Sequence, residues 1–284
     1  MDSITAAAAD DAETLRREIR RLGPWHHDVE IAPGVRTGDP ALAGDYPTAL
    51  GTPSIVDPVA ETGMLLREIY RDGLEGRSFL DCACNAGGHV FGARAAGAGR
   101  AYGFDAREHW IRQAAFLKQH LPAHDMEFQA HRLEDLPARG LDPFDVTLFR
   151  GIFYHLPDPV AGLRIAADLT REIIVVNTAS APAPVKGLVL SRESETEVMS
   201  GVDGLAWLPT GPDVVREALA WCGLAHSRVR FDFSVTPGVN RFEVIAARRG
   251  SALDHYDIVR PEPALGPAAT AGLLSRLRRR LRGR

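Results

Sequence analysis

Phe79-Leu80-Asp81-Cys82-Ala83-Cys84-Asn85-Ala86-Gly87-Gly88 is the stretch on which the reading of this chain turns. An apolar run closes on an acidic residue, a loop of small residues follows, and helical spacing takes over from about His89 to Ala96. That order is strand, tight turn, helix. Small residues let the backbone approach a ligand closely, and the helix behind them starts with N–H groups that have no intrahelical partner. A second apolar run, Ala101-Tyr102-Gly103-Phe104, ends in Asp105, 24 positions after Asp81. An acidic side chain at the end of the next strand can accept both hydrogen bonds of a ribose diol. Together the two motifs predict a nucleotide cradle.

Outward from the cradle the same unit repeats. A helix over 57–70 carrying Leu65, Leu66 and Ile69 leads in, and a helix over 109–121 stops before Pro122. Met126 to Ala130 reads as the third strand, and Arg132-Leu133-Glu134-Asp135-Leu136-Pro137 as the loop after it. A fourth strand over 144–149 delivers Arg150-Gly151-Ile152-Phe153-Tyr154-His155 to the carboxyl edge, where ligands of open α/β sheets bind. A helix over about 160–169 and a buried strand over 172–177 follow. Four strand–helix repeats argue for a parallel sheet. Residues 178–212, rich in Ser, Glu, Pro and Gly, break the rhythm and read as a substrate-binding insertion containing Trp207. A helix over 213–223, with Val214, Leu219 and Trp221 expected inward, and an antiparallel pair over 227–235 and 240–247 complete the domain. Upstream, an amphipathic helix over 11–22 stops at Gly23-Pro24, and 25–35 reads as a short hairpin. His26 and His27 point to opposite faces there, so a shared metal is disfavoured and one faces the pocket. The expected organisation is an N-terminal helix and cap (1–56), a catalytic domain (57–249) and a Pro/Ala-rich linker with a basic tail (250–284).

The loop separates two ligand classes. A pyrophosphate site wants Gly-x-Gly-x-x-Gly at a helix N-terminus, whereas this chain has Asp81-x-Ala83-x-Asn85-x-Gly87. The acid repels a pyrophosphate but suits the ammonium of a methionine moiety, or a water. The segment resembles the first motif of class I S-adenosylmethionine-dependent methyltransferases. With Leu22-Gly23-Pro24-Trp25, Cys84 to Gly87, Phe153-Tyr154-His155-Leu156, the stretch 207–223 and Asn240 to Ala246, the chain over about 15–249 is similar to the family that includes bacterial enzymes carboxymethylating the tRNA wobble uridine. The resemblance implies a Rossmann-like α/β fold, a mostly parallel seven-stranded sheet with helices on both faces and an antiparallel last strand, with S-adenosyl-L-methionine as cofactor. In that family, residues matching Tyr154 and Arg241 hold an extra carboxylate on the cofactor. They are joined by a lysine two residues before the proline of Gly23-Pro24, where this chain has Leu22. Losing that group points to plain S-adenosylmethionine. Ala83 stands where the family has glycine, so its methyl crowds the cofactor. The expected cofactor contacts are Asp81, Ala83, Asn85, Gly87, Asp105, Arg132, Leu133 and Arg150, with Arg132 and Leu133 beside the adenine. Substrate contacts are assigned to Trp25, His26, Trp207 and Arg241. His155 is the candidate general base for an oxygen acceptor and Tyr154 a cofactor or substrate contact beside it, the alternative for His155 being a structural hydrogen-bonder; His26, His27 and His89 rank lower as bases. Arg150 either binds an acidic substrate group or pairs with Asp105 or Asp158.

Composition narrows the acceptor. At 284 residues, with 45% hydrophobic and 25% charged, the chain has ample material for a core. It shows neither a secretory leader nor an apolar run of membrane-spanning length, and is expected to be cytoplasmic. Cys82, Cys84 and Cys222 read as small buried side chains, not zinc ligands. The net charge is −4, but Arg276, Arg278, Arg279, Arg280, Arg282 and Arg284 leave −10 for everything else. An acidic body argues against a nucleic-acid partner and for a small-molecule or glycan substrate. The tail over 273–284, with leucines on one helical face, suits an anionic membrane or an acidic partner, or is an unstructured basic extension.

Overall fold

The computed structural model describes residues 2–44, 56–71, 73–121, 125–194 and 196–254. Helix α1 (Asp2–Leu22) leads to the hairpin β1 (Glu30–Ala32) and β2 (Val35–Arg36), and then to α2 (Pro58–Ile69). Strand and helix then alternate as β3 (Ser78–Cys82), α3 (Gly88–Ala95), β4 (Arg100–Asp105), α4 (Glu108–His120) and β5 (Met126–Ala130). They continue through β6 (Phe144–Arg150), α5 (Pro159–Asp168) and β7 (Thr170–Ser180). After a second hairpin, β8 (Leu188–Arg192) with β9 (Leu205–Pro209), come α6 (Pro212–Trp221), β10 (His226–Thr236) and β11 (Val239–Ala247). Helices α2 and α5 start by one device. Asp57 and Asp158 accept from Ala60 N and Ala161 N at 3.0 Å, with proline at the first helical position.

Seven strands form one sheet in the order β10-β11-β7-β6-β3-β4-β5. β11 runs antiparallel to both its neighbours and the other pairings are parallel. The chain builds outward from β3 to β5, returns to β6 beside β3, and builds the other way. That reversal opens a crevice at the carboxyl ends of β3 and β6, where Asp81 and Arg150 stand. One face packs Phe79, Val146, Leu148, Val175 and Ile245 under α1, α2 and α3. On the other, Leu80, Phe104, Phe149, Ile174 and Phe242 pack under α5 and α6. The central strands, covered on both faces, are apolar over most of their length.

Two expectations need correction. Trp221 is 67% exposed beneath the Arg164 guanidinium, 5.2 Å from its ring. The inward stripe of α6 is Val215, Leu219 and Cys222, spaced by four and three, and Trp221 falls outside it. The insertion is also more regular than its composition predicts, because β7 runs on to Ser180 and β8 pairs with β9 as an antiparallel hairpin within it. The basic tail lies outside the described residues, and among those described no helix is long and apolar enough to cross a membrane.

Candidate active site

At the end of β3 the backbone makes three left-handed steps, at Ala83 (φ 64°), Asn85 (φ 51°) and Gly87 (φ 79°). They wrap the loop around the carboxylate of Asp105, whose Oδ2 accepts from Asn85 N and Oδ1 from Arg107 N, both at 3.0 Å. Each oxygen keeps a further acceptor position. Burial raises Asp105 to about 6, and the Arg107 and Asn85 N–H groups oppose the rise. Asp81 is 1% exposed and its Oδ2 has no hydrogen-bond partner. Burial, then the charge of Asp105, pushes it up to about 8.

The N-terminus of α3 is already occupied. Gly88 N donates to His27 Nδ1 at 3.1 Å, and a methyl group on Gly88 would lie 2.1 Å from Pro58 Cγ and 2.9 Å from that nitrogen. The cap therefore fills the place where a pyrophosphate would sit. Behind His27, His89 bonds Thr62 Oγ1 at 2.7 Å. Desolvation drives both imidazoles well below their usual range, so both are neutral. His26 is half-buried with its ring 5.5 Å from that of His27.

Arg150 lies 2.9 Å from Glu61 and 3.8 Å from fully buried Glu243, so its ion pairs are with these two acids and not with Asp105 or Asp158, the alternative to an acidic substrate group. Glu243 also accepts from Arg230 at 3.0 Å and Asn177 at 2.8 Å, and Asn177 Oδ1 accepts from Arg241 Nε at 2.7 Å. The polar chain spans β6, β7, β10 and β11 below the crevice. Its members Glu61, Asn177 and Glu243 were missed, although a lone acid inside the apolar run Phe242-Glu243-Val244-Ile245 was a signal.

The insertion closes over the other side. Rings of Tyr154 and His155 are 4.0 Å apart, and His155 Nδ1 meets Glu193 Oε2 at 2.6 Å. Further along, Arg107 donates to Ser200 O at 2.9 Å, Arg132 to Asp203 at 2.6 Å and Trp207 Nε1 to Pro157 O at 3.0 Å. Leu133 turns its side chain into the core, leaving only its main chain for an adenine edge, and Asp135 caps Arg132 N at 3.1 Å. Trp25 is a clear correction. It is fully buried, its indole donates to Ile19 O at 2.8 Å and its ring packs near Phe116, so it touches no substrate.

Residues 74–209 match the family profile described as a methyltransferase domain, and the sheet order and crevice are those such a domain requires. Residues 74–209 form a domain of the class I S-adenosylmethionine-dependent methyltransferase kind. The chain is 29% identical over 133 residues to the tRNA U34 carboxymethyltransferase of Alteromonas mediterranea, a match covering 45% of this chain and 37% of that protein. It is 32% identical over 111 residues to the one from Marinobacter nauticus, covering 37% and 33%. The matches thus span about a third of the length of these curated relatives. Among solved structures, the N-terminal domain of EvdMO1 in the presence of SAH and D-fucose superposes with a TM-score of 0.67 at 20% identity, over 84% of this chain and 97% of that one. That likeness is one of fold.

Proposed function

We infer that this methyltransferase takes a methyl group from S-adenosylmethionine bound at the carboxyl-end crevice beside Asp81 and Asp105 and passes it to a hydroxyl of a small metabolite or sugar. The observation that carries the cofactor reading is Asp81 Oδ2, a buried carboxylate oxygen with no partner, which an ammonium group would satisfy. Asp105 offers its remaining acceptor positions to a ribose diol, and on this reading Arg132 and the Leu133 main chain flank the adenine. When bound, the sulfonium supplies an activated methyl carbon. The chain's own part is to hold the acceptor in line, exclude water beneath the β8–β9 hairpin, and take up the hydroxyl proton at His155. Orientation contributes about 7–11 kcal/mol in favourable cases, and a general base about 10²- to 10⁴-fold. A sugar acceptor is in keeping with the D-fucose present with the EvdMO1 domain.

A second reading, modification of the tRNA wobble uridine, is favoured by the names of the relatives. Leu22 in place of a cofactor-binding lysine and the acidic body weigh against it. Calorimetric titration with S-adenosylmethionine and S-adenosylhomocysteine tests the cofactor site. The intact chain should bind both, Asp105→Ala should bind at least about 10-fold more weakly through loss of charge-assisted hydrogen bonds, and Ala83→Gly should bind more tightly. No binding by the intact chain, restored by Ala83→Gly, would mean that the Ala83 methyl closes the cradle.

A further inference from the structure

We propose that Glu193, on the insertion, is a positioning residue that fixes the tautomer of His155 and so leaves Nε2 as the nitrogen that takes the acceptor's proton. The proposal rests on the reading of His155 as general base and adds the group that would make it one. A carboxylate only accepts hydrogen bonds, so the 2.6 Å contact between Glu193 Oε2 and His155 Nδ1 requires the hydrogen to be on Nδ1. The lone pair is then on Nε2. Glu193 is itself held, since the same Oε2 accepts from Gly201 N at 2.9 Å. Gly201 sits flush on the 154–155 segment. A methyl group there would lie 2.6 Å from His155 O and 3.2 Å from Glu193 Oε2. His155 and Glu193 are only 18% and 19% exposed, so water competes weakly for the contact.

The geometry ties chemistry to the insertion. His155 belongs to the β6 loop at the sheet edge, and Glu193 reaches it from a segment 38 residues on. In the step served, the acceptor O–H bond breaks, its proton goes to Nε2, and the oxygen keeps the electron pair that forms the bond to the methyl carbon. The carbon–sulfur bond breaks with its pair remaining on sulfur, and the donor leaves as a neutral thioether. The Nδ1 proton stays on nitrogen, where the Glu193 carboxylate stabilises the imidazolium.

The decisive measurement needs no acceptor. Long-range ¹H–¹⁵N spectra of the full chain labelled at histidine, with His155 assigned by its loss in His155→Gln, report which ring nitrogen carries hydrogen. The native chain should show the Nδ1–H form. Glu193→Ala, which removes the acceptor, should move the population toward Nε2–H, whereas Glu193→Gln, whose amide oxygen still accepts from Gly201 N and Nδ1–H, should keep the Nδ1–H form, with S-adenosylhomocysteine binding retained as the check on folding. An Nε2–H form in the native chain, or a pattern unchanged in Glu193→Ala, would overturn the proposal. Turnover with D-fucose as the acceptor probe separates the two readings. If Glu193→Ala lowers kcat about 10-fold or more with KM little changed, the positioning role stands. If His155→Gln leaves kcat unaltered, the base reading fails, whatever the spectra show.

Discussion

Asp81 and Asp105 stand side by side at the crevice, and the chain treats them differently. Asp105 is held by two backbone N–H groups, whereas Asp81 keeps an unpartnered oxygen. Raising Asp81 from 3.8 to about 8 has a definite sign. Between those values the folded chain holds a proton that the unfolded chain has lost, so this group's contribution to stability is greatest in acid and declines as pH rises through that window. Asp81→Asn should flatten that decline, which thermal unfolding across the pH range would show. On the proposed reading the ammonium of the cofactor draws Asp81 back to its ionised form, so binding near neutrality should release a proton. Titrations in two buffers of different ionisation enthalpy would detect the release in the native chain and its loss in Asp81→Asn. Equal apparent enthalpies in both buffers for the native chain would place the ammonium elsewhere.

Helix α3 depends on a residue that lies far from it in sequence. Its first turn is capped by His27 from the N-terminal cap, 61 residues earlier, so the cofactor loop and the cap are one unit. His27→Leu removes the acceptor and leaves a buried N–H unsatisfied, which costs about 1–3 kcal/mol. Denaturant unfolding should show that loss together with weaker cofactor binding, and unchanged binding would mean that the loop keeps its form without the cap. Elements of this kind also show what the sequence made legible. The 57–70 helix was readable to its caps because Asp57, Pro58 and the Leu65-Leu66-Ile69 stripe are local signals, and β5 was readable to its ends. Trp25 was misread because an aromatic beside Gly-Pro and two histidines looks like a site, and only the packed fold reveals that Ile19 O takes its N–H. The pairs Glu61–Arg150, Glu243–Arg150 and Glu193–His155 join residues remote in sequence. Local patterning carries no record of such partners, since strand order decides which chain ends meet.

Charge acts at the scale of the whole molecule, and there the two acceptor readings part. Each phosphate that a protein neutralises releases counterions, so a tRNA-binding face shows itself as an affinity that falls steeply with salt. Over residues 1–275 the chain carries −10, its longest run of arginines is terminal, and the shorter one at Arg16, Arg17, Arg20 and Arg21 is interleaved with Glu13 and Glu18. Many arginines in the body are also engaged, among them Arg36 with Asp28, Arg132 with Asp203 and Arg150 with Glu61. Releasing them to phosphate would leave partly buried acids without partners, a further penalty on binding. Filter binding of bulk tRNA to the full chain and to a chain lacking residues 273–284, over a series of salt concentrations, separates the contributions. Any salt-sensitive retention should disappear with the tail, because it belongs to the arginines there and not to the crevice. Retention by the shortened chain with a slope of several counterions would reveal a basic path that the charge balance hides, and would move the wobble-uridine reading ahead of the small hydroxylated acceptor.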